Sequence, residues 1–457
     1  MEAHDLSTAP LITREAYDYG GYSKSSSQYG VLGRVVSTHQ KSLCEKPDDP
    51  RIYLNTVCRK TISKIHMSYL PLKNAPFSAL VCGVQGSGKS HTVSVILESM
   101  MLSNCPSTGL LNKALSGLVL HFGEGGPSSL PSEAAWLAMS SCLDVNPPEV
   151  RVFVSQSSLN TMKTVYAPLG EHVTVEPLMF SESELDAQAF LSMMAIGSSD
   201  SAPLYIQVIL TILRELGESY TYKAFMRELE NQKKKFNPNQ LSGLDQRMSL
   251  LTSFLAKDKK GYGLTRTSRF AAGRLTIIDL SDPFIDPASA CGLFEIIVRL
   301  FVRSDVGTGK VLVVDEAHKY LSSSRGTSGL TKALLMLTRQ QRHLSMRVII
   351  STQEPTVVPP VLLDLCSVVF LHRFSSPSWW EHVIKHVSAD FDGSDAFDKV
   401  VKLHTGQAVV LAPSALGTFA SRSAGRVLDR FGRRYLIMKT RKRVTQDGGA
   451  SVLVIDI

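Results

Sequence analysis

The feature that most constrains this 457-residue chain is a glycine-rich loop between a strand pattern and a helix pattern. The apolar run 78–82 precedes the loop, and a helix-compatible run follows at 91–101. Strand, loop and helix in this order give the context that the GxxxxGK[ST] motif, Walker A, needs. A chance glycine-rich turn is the alternative, and the two flanks argue against it. The matched residues are Gly83, Val84, Gln85, Gly86, Ser87, Gly88, Lys89 and Ser90.

This loop predicts binding of a nucleoside triphosphate. Glycines let consecutive backbone N–H groups approach phosphate closely, and the positive end of the following helix adds to the attraction. Lys89 is placed to reach the β- and γ-phosphates, and the Ser90 hydroxyl to hold Mg²⁺. We therefore expect ATP and Mg²⁺ as cofactors. The predicted nucleotide-binding residues are Gly83, Gln85, Gly86, Ser87, Gly88, Lys89, Ser90 and His91.

A second segment resembles the acidic edge, Walker B, that such a loop needs. Four aliphatic residues at 311–314 precede Asp315 and Glu316, as in a parallel strand buried on both faces. Ligands of open α/β sheets bind at the carboxyl ends of the strands, so Asp315 should lie beside the phosphate loop. We assign Asp315 to Mg²⁺ and Glu316 to polarising the attacking water. The alternative is that Asp315 only caps the helix that follows Ala317.

Strand patterns recur along the chain and alternate with helical ones. This alternation predicts an α/β fold, a mostly parallel sheet with helices on both faces. Residues 203–256 show helical spacing, which predicts a helical insertion at about 200–260, between Walker A and Walker B. The predicted strands after the loop are 117–122, 150–155, 173–179, 275–280, 311–315, 347–352, 368–372 and 408–411.

The composition of the two ends suggests three parts. Residues 1–50 contain a stretch rich in Gly, Ser and Tyr, and we expect them to be disordered. Residues 51–412 are the expected ATPase domain, and residues 413–457 a basic carboxyl-terminal segment.

Overall composition favours a soluble intracellular protein. Hydrophobic residues make up 44% of the chain, and no apolar run reaches the roughly 18–20 residues of a membrane-spanning helix. The seven cysteines are scattered and form no CxxC pair, so neither a zinc site nor a disulfide framework is expected. The net charge of +8 permits a polyanionic partner.

The string Asp315-Glu316-Ala317-His318 also suggests a DEAH-box helicase. Such helicases keep their two nucleotide motifs much closer together and carry a second motor domain, and this chain shows neither feature. We place His318 in the first turn of the following helix and assign it no catalytic role.

Residues 330–355 point to a different family. A helical pattern ends near Arg342, and a strand follows that closes with Ser351-Thr352-Gln353-Glu354-Pro355. In this order the chain resembles the HerA/FtsK superfamily of hexameric nucleic-acid pumps, which includes the conjugation coupling ATPases. The resemblance implies a RecA-like P-loop core, Gln353 as a sensor of the γ-phosphate, and Arg342 inserted into a neighbouring subunit's site. It also implies a homo-oligomeric ring, a hexamer, that translocates DNA.

Two alternatives stay open. Arg342 could instead cap its helix or pair with surface acids, with Arg339 and Arg347 as the nearest substitutes. The protein could also be a slow nucleotide-dependent switch or scaffold that has protein partners and no DNA substrate. Basic stretches at 233–235 and 422–443 would supply DNA phosphate contacts, although a solvated or inter-subunit face explains them too. The cations of the second stretch are Arg422, Arg426, Arg430, Arg433, Arg434, Lys439, Arg441, Lys442 and Arg443.

Overall fold

One large mixed sheet organises the part of the chain that the structure describes. The structure is a computed structural model, and it describes residues 8–20, 29–41, 43–56, 76–103, 105, 107–109, 111, 113–140, 145–193, 204–234, 236–256, 268–321, 329–391, 395–421 and 425–449. Within these residues the sheet has sixteen strands. They are β1 (Leu11–Thr13), β2 (Tyr29–Gln40), β3 (Leu43–Glu45), β4 (Arg51–Asn55), β5 (Ser78–Cys82), β6 (Ser116–His121), β7 (Glu149–Val154), β8 (Val173–Pro177), β9 (Arg274–Asp279), β10 (Lys310–Val314), β11 (Met346–Thr352), β12 (Val368–Leu371), β13 (Gln407–Leu411), β14 (Leu416–Ser421), β15 (Gly425–Arg430) and β16 (Tyr435–Thr440).

Half of this sheet is parallel and holds the two nucleotide motifs. Its strand order is β12-β5-β11-β10-β6-β9-β7-β8, and every neighbouring pair runs in the same direction. Strand β5 precedes the glycine-rich loop, β10 precedes Asp315, and β11 lies between them. Because the carboxyl ends of parallel strands share one edge, both motifs and the end of β11 meet there.

Helices cover both faces of the sheet, as the sequence predicts. Leu80 and Leu312 belong to one apolar core, whereas their strand neighbours Val81 and Val313 belong to the other. Since side chains alternate across a strand, each core lies on one face. The fold class is therefore confirmed as a parallel-rich α/β sheet between two helical layers. The helices are α1 (Arg14–Tyr19), α2 (Lys89–Met101), α3 (Leu159–Tyr166), α4 (Ala187–Met193), α5 (Leu204–Leu216), α6 (Tyr222–Lys233), α7 (Pro238–Ser253), α8 (Pro287–Arg303), α9 (Gly329–Leu344), α10 (Pro360–Leu365), α11 (Pro377–Ile384) and α12 (Asp395–Val401).

The helical insertion is also confirmed. Helices α5, α6 and α7 follow one another between the two nucleotide motifs, and α6 begins after Thr221, whose hydroxyl accepts from the Ala224 amide. Helix α7 starts with a capping box in which Asn237 and Gln240 bond reciprocally. Phe225 and Leu244 are fully buried in the core that also contains β10. The insertion therefore packs on the ATPase sheet through an apolar face.

The expectation of disorder over residues 1–50 is wrong for the described residues in that range. Strand β2 pairs antiparallel with β16 on one side and with β4 on the other. Leu32 and Ile52 are fully buried in the core beneath the glycine-rich loop's strand. The local sequence gives little sign of this order because the partner strand β16 is about four hundred residues away along the chain. Residues 21–28, the centre of the Gly- and Ser-rich stretch, lie outside the described residues.

The carboxyl-terminal residues continue the same sheet. Strand β16 pairs antiparallel with β13, which in turn pairs with β12. The sequence-based boundaries at residues 50 and 412 therefore fall inside a continuous set of paired strands.

Candidate active site

The glycine-rich loop fits tightly against two neighbouring segments. Gly83 and Gly88 adopt positive φ values of 153° and 106°. A Cβ added at Gly83 would lie 2.6 Å from the Cβ of His372, and one at Gly88 would lie 2.9 Å from the backbone nitrogen of Gly406. Only glycine suits both the backbone conformation and the available space at these two positions. The motif therefore forms the turned loop that exposes backbone amides.

Lys89 and Ser90 open helix α2 directly after this loop. Lys89 is buried, and its Nζ donates to the carbonyl of Val84 at 3.1 Å. Burial lowers the pKa of Lys89, while the carboxylates of Glu316 and Asp315 oppose that shift. Ser90 lines the adjoining cavity. The two residues lie where the positive helix end and the loop amides converge.

Asp315 follows β10 and is fixed from several sides. Its amide donates to Leu120 on neighbouring β6 at 3.0 Å, and its carbonyl accepts from the Tyr320 hydroxyl at 2.9 Å. Its carboxylate lies 3.2 Å from Nδ1 of His121. Burial alone would raise the pKa of Asp315, but the bond and charge of His121 hold that pKa below its usual range. Asp315 is therefore a carboxylate at neutral pH.

His121 is a site residue that the sequence reasoning missed. It ends β6 and lines the cavity beside Asp315. Burial acts to lower its pKa, but the carboxylates of Asp279 and Asp315 outweigh that effect and raise the pKa to about 9. Asp279 is buried too and accepts from the Tyr166 hydroxyl at 2.7 Å. The available signal was a polar residue at the carboxyl end of an apolar strand, the same pattern that identified Asp315.

Glu316 and Gln353 contact each other across the ends of β10 and β11. Gln353 Nε2 donates to Glu316 Oε2 at 3.0 Å, and His318 Nε2 lies 3.3 Å from the same oxygen. Glu316 adopts the left-handed conformation, with φ of 49° and ψ of 41°. Both side chains line the same cavity as Lys89. The structure thus brings together the two predicted acids, the phosphate-loop residues and the predicted sensor.

These residues surround an open cavity of about 840 Å³. Its lining also contains Thr405, Gly406 and a carboxyl-terminal wall, the segment that follows β16. His91 joins the two sides, since its Nε2 lies 2.8 Å from the carbonyl of Arg441. No local sequence pattern predicts that the carboxyl-terminal segment lies here. The predicted residues that line the cavity are Gln85, Gly86, Gly88, Lys89, Ser90, His91, Asp315, Glu316 and Gln353.

A buried carboxylate on α2 holds this carboxyl-terminal wall in place. Glu98 is fully buried, and its Oε2 accepts from the Arg441 guanidinium at 2.5 Å. Its Oε1 accepts from the amides of Val444 and Thr445 at 3.0 and 2.9 Å and from the Thr445 hydroxyl at 2.6 Å. One side chain therefore ties the phosphate-loop helix to the segment that walls the cavity.

Most described arginines of the basic tail are paired within the chain. Besides Arg441, Arg443 pairs with Glu133, Arg433 with Asp390, Arg434 with Asp429, and Arg426 with Glu15. Residue 422 lies outside the described residues, whereas Lys439 and Lys442 line the cavity. In the earlier basic stretch, Lys233 pairs with Glu230 at 2.8 Å, and residue 235 is outside the described residues. Acidic partners within the chain therefore offset the charge of these arginines.

Arg342 lies away from the cavity of its own chain. Helix α9 ends at Leu344, just before β11 begins, so Arg342 is near the amino-terminal edge of the strands. The phosphate loop is at the opposite edge. Arg342 and Arg339 are exposed, whereas Arg347 is fully buried near the Phe77 ring. Arg347 is therefore unsuited to reach another subunit, and Arg339 remains the nearest substitute.

The donor set at the cavity suits Mg²⁺. A hydroxyl on Ser90 and a carboxylate on Asp315 are hard oxygen ligands, which Mg²⁺ prefers. Within the described ranges no group of three or more His, Cys, Asp or Glu side chains forms a self-sufficient metal site. Mg²⁺ usually takes one or two protein ligands together with substrate phosphates, a number that Ser90 and Asp315 would supply.

Comparison with known proteins gives only distant matches. No protein-family model matches the chain, and no curated protein matches it significantly. Among the described residues, no helix is both long and apolar enough to cross a membrane.

Three solved structures illustrate the similarity. The genome packaging NTPase B204 from Sulfolobus turreted icosahedral virus 2, in complex with AMP, has a TM-score of 0.31 at 10% identity, covering 74% of this chain and 91% of that one. VirB4 of Thermoanaerobacter pseudethanolicus has a TM-score of 0.40 at 13% identity, covering 80% and 89%. The bacterial conjugative coupling protein TrwB has a TM-score of 0.38 at 11% identity, covering 82% and 86%. TrwB is a coupling protein, and coupling ATPases are members of the superfamily that this chain resembles.

Proposed function

We propose that this protein binds ATP with Mg²⁺ and hydrolyses it. The observation that carries the proposal is the meeting of side chains from three strand ends at one cavity. Lys89 and Ser90 come from the loop after β5, Asp315 and Glu316 follow β10, and Gln353 follows β11. These are the residue types that phosphoryl transfer needs for phosphate binding, metal binding and water orientation.

The proposed roles follow from the position of each group. The loop amides and Lys89 hold the phosphates, and Ser90 and Asp315 hold Mg²⁺. When bound, Mg²⁺ would neutralise charge on the phosphate oxygens. Glu316 orients the attacking water, because a carboxylate can accept the water's proton through a hydrogen bond. Gln353 contacts Glu316 and is placed to register the presence of the γ-phosphate.

We further propose that Arg342 completes the site of a neighbouring subunit in a ring. The sixteen residues of α9 span about 24 Å. This length separates Arg342 from the loop edge of its own sheet, so it can serve only another copy's cavity. Head-to-tail contact of this kind forms a ring when the rotation between successive copies closes. By resemblance the ring is a hexamer that moves DNA.

Mixing two inactive variants tests whether Arg342 acts in the site of a neighbouring subunit. Trans arginines contribute roughly 10³–10⁵ in rate, so Arg342→Ala should nearly abolish hydrolysis while Arg339→Ala retains most of it. Mixing Arg342→Ala with Glu316→Gln should restore part of the activity, because some interfaces then combine an intact site with an intact arginine. An Arg342→Ala protein that hydrolyses ATP at the wild-type rate would refute the trans role.

The internal pairing of the tail arginines favours a second candidate, a nucleotide-dependent switch with protein partners. Immobilised duplex DNA separates the two. A translocase should be retained in a salt-sensitive way, and DNA should stimulate its ATP hydrolysis. A switch should show neither effect. The ATP site proposed above is common to both candidates.

A further inference from the structure

His318 contacts both Glu316 and Gln353, although no role was expected for it from its sequence position. Its Nε2 lies 3.3 Å from Glu316 Oε2, and its Nδ1 lies 3.4 Å from the backbone nitrogen of Gln353. We propose that His318 is a positioning residue that fixes the carboxylate of Glu316 for hydrolysis. This inference rests on the proposed ATPase function.

The two contacts define one protonation state of the imidazole. The backbone N–H of Gln353 can only donate, so Nδ1 of His318 must accept. The single proton of the neutral ring is then on Nε2, the nitrogen that lies 3.3 Å from Glu316 Oε2. Burial lowers the pKa of His318, which keeps the ring neutral at physiological pH. A protonated ring would lose the acceptor that the Gln353 amide needs.

Both contacts to the Glu316 carboxylate are made to the same oxygen, Oε2. Oε2 accepts from Gln353 Nε2 at 3.0 Å, and His318 Nε2 lies 3.3 Å from the same oxygen. Within the described part of the chain, no donor is recorded for Oε1. Oε1 therefore stays available to a water molecule, while Oε2 anchors the side chain. The left-handed backbone of Glu316 is a conformation that non-glycine residues adopt rarely, so the side chain's direction depends on such anchors.

His318 also links the acid to the sensor. The Gln353 amide and side chain both belong to the same set of bonds, so a shift of Gln353 would move His318 and Glu316 together. The nearby charges are Lys89, Lys319 and Glu354, in addition to Glu316. His318 makes none of the predicted phosphate contacts, so its loss should affect turnover rather than nucleotide binding.

Three substitutions separate the donor from the acceptor. In His318→Gln the side-chain NH₂ group can take the place of Nε2 beside Glu316. In His318→Asn the side-chain oxygen can take the place of Nδ1 as the acceptor for the Gln353 amide. We expect His318→Ala to lower kcat about 10- to 100-fold, the range typical of residues that orient a catalytic ligand, with KM for ATP changed less than about twofold. His318→Gln should recover more of kcat than His318→Asn. Wild-type kcat in His318→Ala, an increase confined to KM, or better recovery by asparagine would overturn the proposal.

Nitrogen NMR on ¹⁵N-histidine-labelled full-length protein provides a readout that does not require hydrolysis. The His318 signals, assigned by their loss in His318→Gln, should show a protonated Nε2 and an unprotonated Nδ1 at neutral pH. A proton on Nδ1, or a fully protonated ring, would overturn the proposal. If wild-type and Glu316→Gln proteins are equally inactive, the ATPase function fails, while the NMR result still decides the geometry around His318.

Discussion

The link between Glu98 and the carboxyl-terminal wall gives a prediction for both stability and nucleotide affinity. Substituting Glu98 by alanine removes the acceptor of four donors and leaves Arg441, whose side chain is 11% exposed, without its carboxylate. Removing one partner of a buried ion pair costs about 3–5 kcal/mol. Glu98→Gln keeps one oxygen as an acceptor for Val444 and Thr445 but loses the charge and the charged hydrogen bond to Arg441, so we expect a smaller loss of about 1.5–3 kcal/mol.

Urea unfolding measures these losses as a lower midpoint at an unchanged slope. Asp18→Ala is a matched control, because the Arg14–Asp18 pair is exposed and such pairs contribute at most about 1 kcal/mol. Since the segment that Glu98 holds also walls the cavity, both Glu98 variants should raise KM for ATP more than they lower kcat. A Glu98→Ala protein within about 1 kcal/mol of wild type would contradict the assignment of this carboxylate as the anchor of the wall.

Two further predictions concern the surroundings of the phosphate loop. Gly88→Ala should abolish nucleotide binding measured by calorimetry, because its Cβ would lie 2.9 Å from the Gly406 backbone nitrogen. Gly86→Ala is the control: no atom lies within 4 Å of the added Cβ, so this variant should retain measurable binding. Equal losses of binding in the two variants would refute the steric argument. Burial lowers the pKa of His372 to about 4, so its stabilising contribution is complete above the unfolded value near 6.5 and is lost as pH falls toward 4. Unfolding measured between pH 7 and pH 4 should therefore lose up to about 3 kcal/mol more in wild type than in His372→Gln, and parallel profiles would contradict the buried neutral state.

The strands and the phosphate loop were predictable because their signals are local. Apolar runs placed the parallel strands within one or two residues, and the end of each strand placed Asp315 and Gln353 at one edge. The glycine spacing, Lys89, Ser90 and the flanking strand and helix patterns together identified the loop, and the backbone geometry at Gly83 and Gly88 requires glycine there. Local pattern thus determines the parts of the site that follow directly from a strand end.

The remaining features depend on contacts between distant segments. Strand β2 is ordered through β16, and no pattern within residues 1–50 shows that pairing. The charge of Arg441 suggests an exposed side chain. Its buried partner Glu98 becomes visible only in the folded structure. The sequence placed His318 in the first turn of a helix and assigned it no role. The structure places it in a short 3₁₀ turn, where its Nδ1 accepts from the backbone N–H of Gln353, which follows a neighbouring strand.

In the proposed mechanism, Glu316 orients the water that attacks ATP. Lys89 and Ser90 hold the nucleotide in the same site. The most direct measurement is the steady-state ATPase rate of the purified wild-type protein and of Glu316→Gln, each with and without long duplex DNA, together with nucleotide binding by both. Mg²⁺-dependent hydrolysis in wild type, lost in Glu316→Gln while ATP binding is kept, is the result we predict. Hydrolysis at equal rates in the two proteins would contradict the assignment of Glu316 and with it the proposed mechanism.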